Sequence, residues 1–188
     1  MKYELTDMVL ETEGGLVLRR IRALRDIPKR EVVAGDLGGW VESEANLSQD
    51  GDSWVSDDAC VYGDACVFGD ARVYGDARVY GDARVYGDAR VYGDACVSGD
   101  ARVYGDARLP SRDSIFTASY VGTENGTLTV TSGVSGLVVT RGCFTGSADE
   151  FLGKSRTVHD DKTHNEYRML IEVAKLRIPV HAVPDTED

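Results

Sequence analysis

From Asp58 the chain reads Asp58-Ala-Cys-Val-Tyr-Gly63 and then Asp64-Ala-Cys-Val-Phe-Gly69, and from Asp70 to Gly93 it repeats Asp-Ala-Arg-Val-Tyr-Gly four times. Asp94-Ala-Cys-Val-Ser-Gly99 and Asp100-Ala-Arg-Val-Tyr-Gly105 continue the series, and Asp106-Ala-Arg-Leu-Pro110 ends it. Self-similarity at so short a period decides the architecture before any other feature is weighed. Within a unit Ala and Val alternate with Arg and Tyr, so on extended backbone the two pairs face opposite ways. Gly-Asp supplies a turn, glycine tolerating positive φ. Strands this short are not stable alone. They become so when each turn of a coil stacks on the last, burying Ala and Val and pairing backbone between turns. Small interior residues require a narrow coil, and three units (18 residues) per turn fit it. A disordered low-complexity tract would not keep Val or Leu at every sixth position from Val55 to Leu109.

The phase runs upstream. Val41 and Leu47 are six apart, but Leu47 and Val55 are eight apart, so two extra residues around Gln49-Asp50-Gly51 make a bulged corner. About four turns at a strand spacing of ~4.8 Å give a coil roughly 15–20 Å tall. In an 18-residue register the outward positions form three columns. Trp54, Arg72, Arg90 and Arg108 stand on one face beside Ser56, Tyr74, Tyr92 and Pro110. Cys60, Arg78 and Cys96 stand on the second with Tyr62, Tyr80 and Ser98; Cys66, Arg84 and Arg102 stand on the third with Phe68, Tyr86 and Tyr104. The second face has a single Arg, and low charge suits contact with another subunit through Cys60, Tyr62, Arg78, Tyr80 and Cys96. Drift within a duplicated repeat is the alternative. Asp58, Asp76 and Asp94 form a like-charged column that neighbouring Arg side chains are expected to offset. Cys60 and Cys66 fall on different faces, and Cys60 and Cys96 lie two turns or ~9–10 Å apart, beyond the ~7 Å a disulfide spans. Scattered cysteines suit a reducing compartment.

The 188 residues carry 21 Lys+Arg against 32 Asp+Glu, a net charge of −11. The excess is spread as −3 over residues 1–50 (7 basic, 10 acidic), −5 over 51–110 (6, 11) and −3 over 111–188 (8, 11). Such a surface repels nucleic acid polymers and anionic membranes. No run approaches the roughly 18 apolar residues of a membrane helix, and the N-terminus lacks the apolar core of a signal peptide, so a cytoplasmic protein is expected. At 42% hydrophobic residues the chain can build a core. The high counts of 21 Gly and 9 Tyr trace to the repeats, which hold eight and six of them.

These units resemble the hexapeptide-repeat proteins, whose fold is a left-handed parallel β-helix and which are commonly trimeric. The handedness is implied only by that resemblance, since parallel crossovers in general favour the right hand. Residues 2–61, with Gly38-Gly39-Trp40-Val41 and Leu47-Ser48-Gln49-Asp50-Gly51-Asp52-Ser53-Trp54, look like the start of such proteins carried by phages and prophages. Residues 1–37, with a hairpin turn at Thr12-Glu13-Gly14-Gly15, read as a β cap over the open end of the coil of 38–110. Many relatives of this fold are acyltransferases with a His base near the coil. Here the coil has no His, the three being His159, His164 and His181. A hexapeptide-repeat acyltransferase using an acyl-CoA-type donor is therefore the alternative reading, not the leading one.

After Pro110 the period stops. Ile115–Val121, Gly126–Thr131 and Leu137–Thr140 read as strands of a β-meander separated by Glu124-Asn125-Gly126 and Ser132-Gly133 turns. Ser147-Ala-Asp-Glu150 is a capping box opening a helix to about Ser155, and Asn165 to about Leu176 reads as a second helix stopped by Pro179. Residues 111–180 thus form a small α+β module, and 181–188 an acidic tail expected to fray. The segment resembles a module of phage proteins through Thr140-Arg-Gly-Cys-Phe-Thr-Gly-Ser147, Asp149-Glu150-Phe151, His159 and Glu166-Tyr167-Arg168, without implying a chemistry. Cys143, His159 and His164 lack a fourth ligand, so no metal and no cofactor is expected; Cys143 reads as a buried thiol. Arg141 leading into the helix N-terminus at Ser147 marks a candidate anion site, with Cys143, His159, Tyr167 and Arg168 brought near if the helices fold back. The opposing reading pairs Arg141 and Arg168 with Glu166 or Glu172. Together these features suggest a mainly β, non-catalytic homo-oligomer, a trimer by resemblance. Its expected role is to counteract a host system by blocking a host protein or sequestering a small nucleotide-like signal.

Overall fold

The computed structural model describes residues 1–179. The expected acidic tail at 181–188, with His181, lies outside the described residues. β1 (Tyr3–Glu11) and β2 (Val17–Ala23) form an antiparallel hairpin, and β2 pairs antiparallel with β3 (Leu37–Val41). Ten two-residue strands follow: β4 (Trp54–Val55), β5 (Cys60–Val61), β6 (Cys66–Val67), β7 (Arg72–Val73), β8 (Arg78–Val79), β9 (Arg84–Val85), β10 (Arg90–Val91), β11 (Cys96–Val97), β12 (Arg102–Val103) and β13 (Arg108–Leu109). They stack in parallel columns, β4-β7-β10-β13, β3-β5-β8-β11 and β6-β9-β12, making a solenoid of about four turns. The 18-residue register holds throughout, Trp54 pairing with Arg72, Cys60 with Arg78 and Cys66 with Arg84. The cap is continuous with the coil, because β3 joins the N-terminal sheet to the second column.

The interior is the expected one. Every Ala and Val of the repeats is buried, each Val contributing about 1.5–3 kcal/mol of burial. Amides bond to the next turn, for instance Cys60 N to Ala77 O at 2.9 Å and Tyr62 N to Val79 O at 3.0 Å. Outside, equal spacing stacks the rings: Tyr62 on Tyr80 at 5.1 Å, Tyr74 on Tyr92 at 5.0 Å and Phe68 on Tyr86 at 4.8 Å, within 5° of parallel. The offset of the Asp columns differs from expectation. Repeat aspartates pair with residues outside the repeats, Asp70 with Lys29 at 3.1 Å and Asp94 with Arg112 at 3.7 Å. Arg72 instead lies over the Tyr74 ring at 4.6 Å. The acid sits at the Gly-Asp corner, and the arginine leans along the face toward the aromatic column.

The two extra residues have a structural task. Pairing across the bulge is offset by twenty, Trp40 to Cys60 and Leu47 to Val67. The bulged corner turns Gln49 toward the chain start, where its side chain accepts from Lys2 N (2.7 Å) and Tyr3 N (3.3 Å) and donates to Tyr3 O (3.1 Å). A side-chain amide thus replaces a strand at the open end. Asn46 takes an inward corner and satisfies its buried amide on Gly63 O and Ala65 O at 2.8 and 2.9 Å.

Lys2 closes this end and makes its stability depend on pH. Its buried ammonium donates to Ser53 O (2.7 Å) and Ser53 Oγ (3.0 Å). Desolvation, helped by the Arg25 charge, lowers its pKa from 10.5 to about 8. The fold therefore disfavours the protonated form. Below pH 8 both folded and unfolded chains carry the proton and the whole penalty is present. Between about 8 and 10.5 the folded chain releases it first and stability rises, by at most about 3 kcal/mol. Tyr3, Tyr62, Cys60 and Cys66 are raised by burial and act oppositely once their unfolded-state groups ionise. The diagnostic quantity is thus wild type minus Lys2→Met, which should grow from pH 7 to 9.5 in urea melts; a constant difference would show that Lys2 does not titrate in this range.

β14 (Ile115–Val121), β15 (Gly126–Gly133), β16 (Gly136–Arg141) and β17 (Phe144–Ser147) form an antiparallel meander, followed by α1 (Ala148–Val158) and α2 (Asp161–Arg177). The sheet buries Leu128, Val130 and Val139 with Phe151, Tyr167 and Ile171 of the helices. It also covers part of the coil's end. Ala107 bridges Gly133, Ser132 Oγ donates to Arg108 O, and Arg102 N donates to Thr129 Oγ1 at 3.1 Å. Several boundaries depart from the sequence reading. β15 runs through Ser132 and Gly133, expected as a turn, because both pair with β16, and β16 is one residue longer at each end. β17 was not expected, α1 runs three residues further, and α2 starts four earlier because Asp160 caps it by accepting from Thr163 N at 2.8 Å. The first turn of α2 is polar, so apolar periodicity begins too late to mark it.

Candidate functional site

The C-terminal module has a half-open cavity of about 170 Å³ between sheet and helices. β16 ends on Arg141, the Gly142-Cys143 turn leads into Phe144 of β17, and the β14–β15 loop contributes Thr123 and Glu124. Phe151, Lys154, Ser155 and Val158 follow at i, i+3, i+4 and i+7 on one face of α1, His159 caps that helix, and α2 adds Tyr167. Helix spacing would have revealed the α1 residues once the helix was carried to Val158.

Four of the six expected ligand residues, Arg141, Cys143, His159 and Tyr167, line this one cavity. Ser147 and Arg168 do not. Ser147 Oγ accepts from Glu150 N at 3.3 Å, and Glu150 Oε2 accepts from Ser147 N at 2.8 Å and from its hydroxyl at 2.9 Å. The helix N-terminus therefore already holds a carboxylate, whose pKa is lowered by these bonds, and an anion would meet that charge. Arg168 is exposed and leans on Asn165 at 3.4 Å. Cys143 is exposed at a hairpin turn, not buried as its apolar neighbour suggested. His164 Nδ1 lies 3.3 Å from Ser155 Oγ.

The acidic neighbours have other partners. Glu166 accepts from Gly122 N at 2.9 Å and Glu172 pairs with Lys175 at 2.9 Å. Arg141 makes no ion pair among the described residues. Its Nη2 donates to Val121 O at 3.0 Å, whereas its Nε is buried without an acceptor. A buried donor left unmet costs about 1–3 kcal/mol, more when charged. Lys154 adds a second cation, its Nζ 5.4 Å from the Phe144 ring centre. Aromatic rings form the wall, Phe144–Phe151 at 5.3 Å, Phe151–Tyr167 at 5.1 Å and His159–Tyr167 at 5.5 Å.

The expected oligomer face is not flat. The tip of the β1–β2 hairpin overhangs it, making a surface cleft of about 540 Å³ in which Leu10 and Leu16 face Cys60, Tyr62 and Arg78. Tyr80 and Cys96, further along the column, stand beside each other with Sγ 3.6 Å from the hydroxyl. All four cysteines are free.

Residues 71–85 and 83–99 match a family model described as the YdcK β-solenoid repeat. The middle of the chain is a solenoid of YdcK-type repeats. The matched stretch lies wholly within the coil and leaves the cavity-bearing module outside it. No curated protein matches the chain. Among the described residues no helix is long and apolar enough to cross a membrane.

Proposed function

We propose that the protein is a non-catalytic, oligomeric binding scaffold of phage type, in which the solenoid assembles copies and the C-terminal module holds a small anionic ligand. The observation that carries this reading is Arg141, a guanidinium at a cavity wall with no carboxylate partner among the described residues and one buried donor unmet. A scaffold that only assembles has no need for a second cation beside it, and Lys154 supplies one. The cell-level consequence would be sequestration of a small signal or occupation of a host protein. Handedness of the coil and its trimeric state follow from the hexapeptide-repeat resemblance and belong to the same proposal.

Native mass spectrometry of protein purified from cells tests it. The expected spectrum is an oligomer carrying a small-molecule mass that denaturation removes and that Arg141→Gln reduces at least tenfold in occupancy. A bare monomer at micromolar concentration overturns the proposal. Clear thermal stabilisation by coenzyme A or acyl donors would move the assignment to acyl transfer.

A further inference from the structure

We infer that the ligand of the C-terminal cavity is a single-ring aromatic carboxylate; this rests on the anion-binding reading above and narrows it. Size comes first. The space is about 170 Å³, where drug-sized sites run from roughly 300 Å³ upward and a cavity of about 150 Å³ takes one benzene ring. A ring with one small substituent fills this space, whereas most of a nucleotide would stand outside it, which departs from the nucleotide-like ligand the sequence suggested. The walls come next. Phe144, Phe151 and Tyr167 pack on one another at 53° and 71° and give the cavity an aromatic wall suited to a flat guest.

Charge fixes the polar end. Among the described residues Arg141 and Lys154 share the lining with a single acid, Glu124. The guanidinium is seated against Gly126, where an added Cβ would lie 2.3 Å from Nη1. Its Nη2 is anchored on Val121 O, so the plane of the fork is set before a ligand arrives. A planar guanidinium fixed along one edge, with its remaining terminal N–H groups to offer, matches two coplanar carboxylate oxygens, and a carboxylate conjugated to a ring lies in the ring's plane.

Calorimetric titration of the full chain with benzoate, benzamide, acetate, phenyl phosphate and adenosine monophosphate separates the possibilities. Benzoate is expected to bind at least tenfold more tightly than each of the others. Arg141→Gln should weaken benzoate at least tenfold. Lys154→Gln, at an exposed position that leaves the fold intact, should weaken it several-fold. Acetate equal to benzoate would overturn the aromatic part, and tighter phenyl phosphate or adenosine monophosphate would overturn the carboxylate; either result leaves the anion-binding reading standing. Equal binding of benzamide and benzoate, or no binding by any probe, would overturn both.

Discussion

Gly93→Ala should destabilise the protein by about 3–5 kcal/mol, whereas Gly99→Ala, one unit further along, should cost only about 1 kcal/mol. Each glycine closes a Gly-Asp corner of its own unit with nearly the same φ, +60° and +61°. The left-handed strain for Ala is therefore common to both and is partly offset by the entropy Ala removes from the unfolded chain. Their surroundings differ. A Cβ on Gly93 would lie 2.1 Å from the carbonyl oxygen of Pro110, and one on Gly99 has nothing within 4 Å. Pro110, which directly follows β13, cannot retreat easily, because Tyr92 N bonds to Leu109 O at 2.9 Å and Ser132 anchors Arg108 O. The added atom must therefore separate two turns of the coil or break the junction with the meander. Urea midpoints at constant m would measure the difference. Equal midpoints would mean that the last turn is loosely stacked and that the C-terminal sheet does not hold it down.

The same contrast shows what a repeat reveals to a reader of sequence. Period, inward set, columns and the two-residue bulge all follow from spacing, since one unit's geometry is repeated until only one stacking satisfies every copy. What escaped is whatever depends on a unique tertiary partner. Gln49 reads as a turn residue, yet serves as a pairing partner for Lys2 and Tyr3. Arg141 and His159 could be named as site residues because their types are informative. Phe151 and Lys154 could not, because their roles appear only when α1 lies across the sheet. Ser147 misled for a related reason: a helix start attracts anions in general, but here Glu150 of the same capping box occupies it. The capping box is visible in the sequence, and its two halves should be read as mutually satisfying before either is offered to a ligand.

Trp54→Ala is expected to cost about 3–5 kcal/mol, and to release the cap before the coil. Register places Trp54 outward, in the column of Arg72 and Arg90, where a side chain would ordinarily be solvated. It is only 1% exposed, because the N-terminal segment folds down over the first turn. Tyr3 meets it edge-on at 6.5 Å while donating its hydroxyl to Leu47 O at 2.7 Å. Arg30 reaches past it to Asp52 O and Asp70 O, and Lys29 pairs with Asp70 at 3.1 Å. Trp54 is thus the apolar centre of the contact between cap and coil. In a solenoid each turn is stabilised chiefly by its neighbours, so damage at one end stays local. Hydrogen exchange should quicken on the order of 10²–10³-fold across β1 to β3, with a smaller change in β8 to β13. Arg72→Ala, in the next rung of the same column, should stay within about 1 kcal/mol because Arg72 gives up only its contact with Tyr74. A uniform loss of protection along the whole chain in Trp54→Ala would instead make cap, coil and meander one cooperative unit. In that case a ligand bound at Arg141 would stabilise the N-terminal hairpin as strongly as the module that holds it.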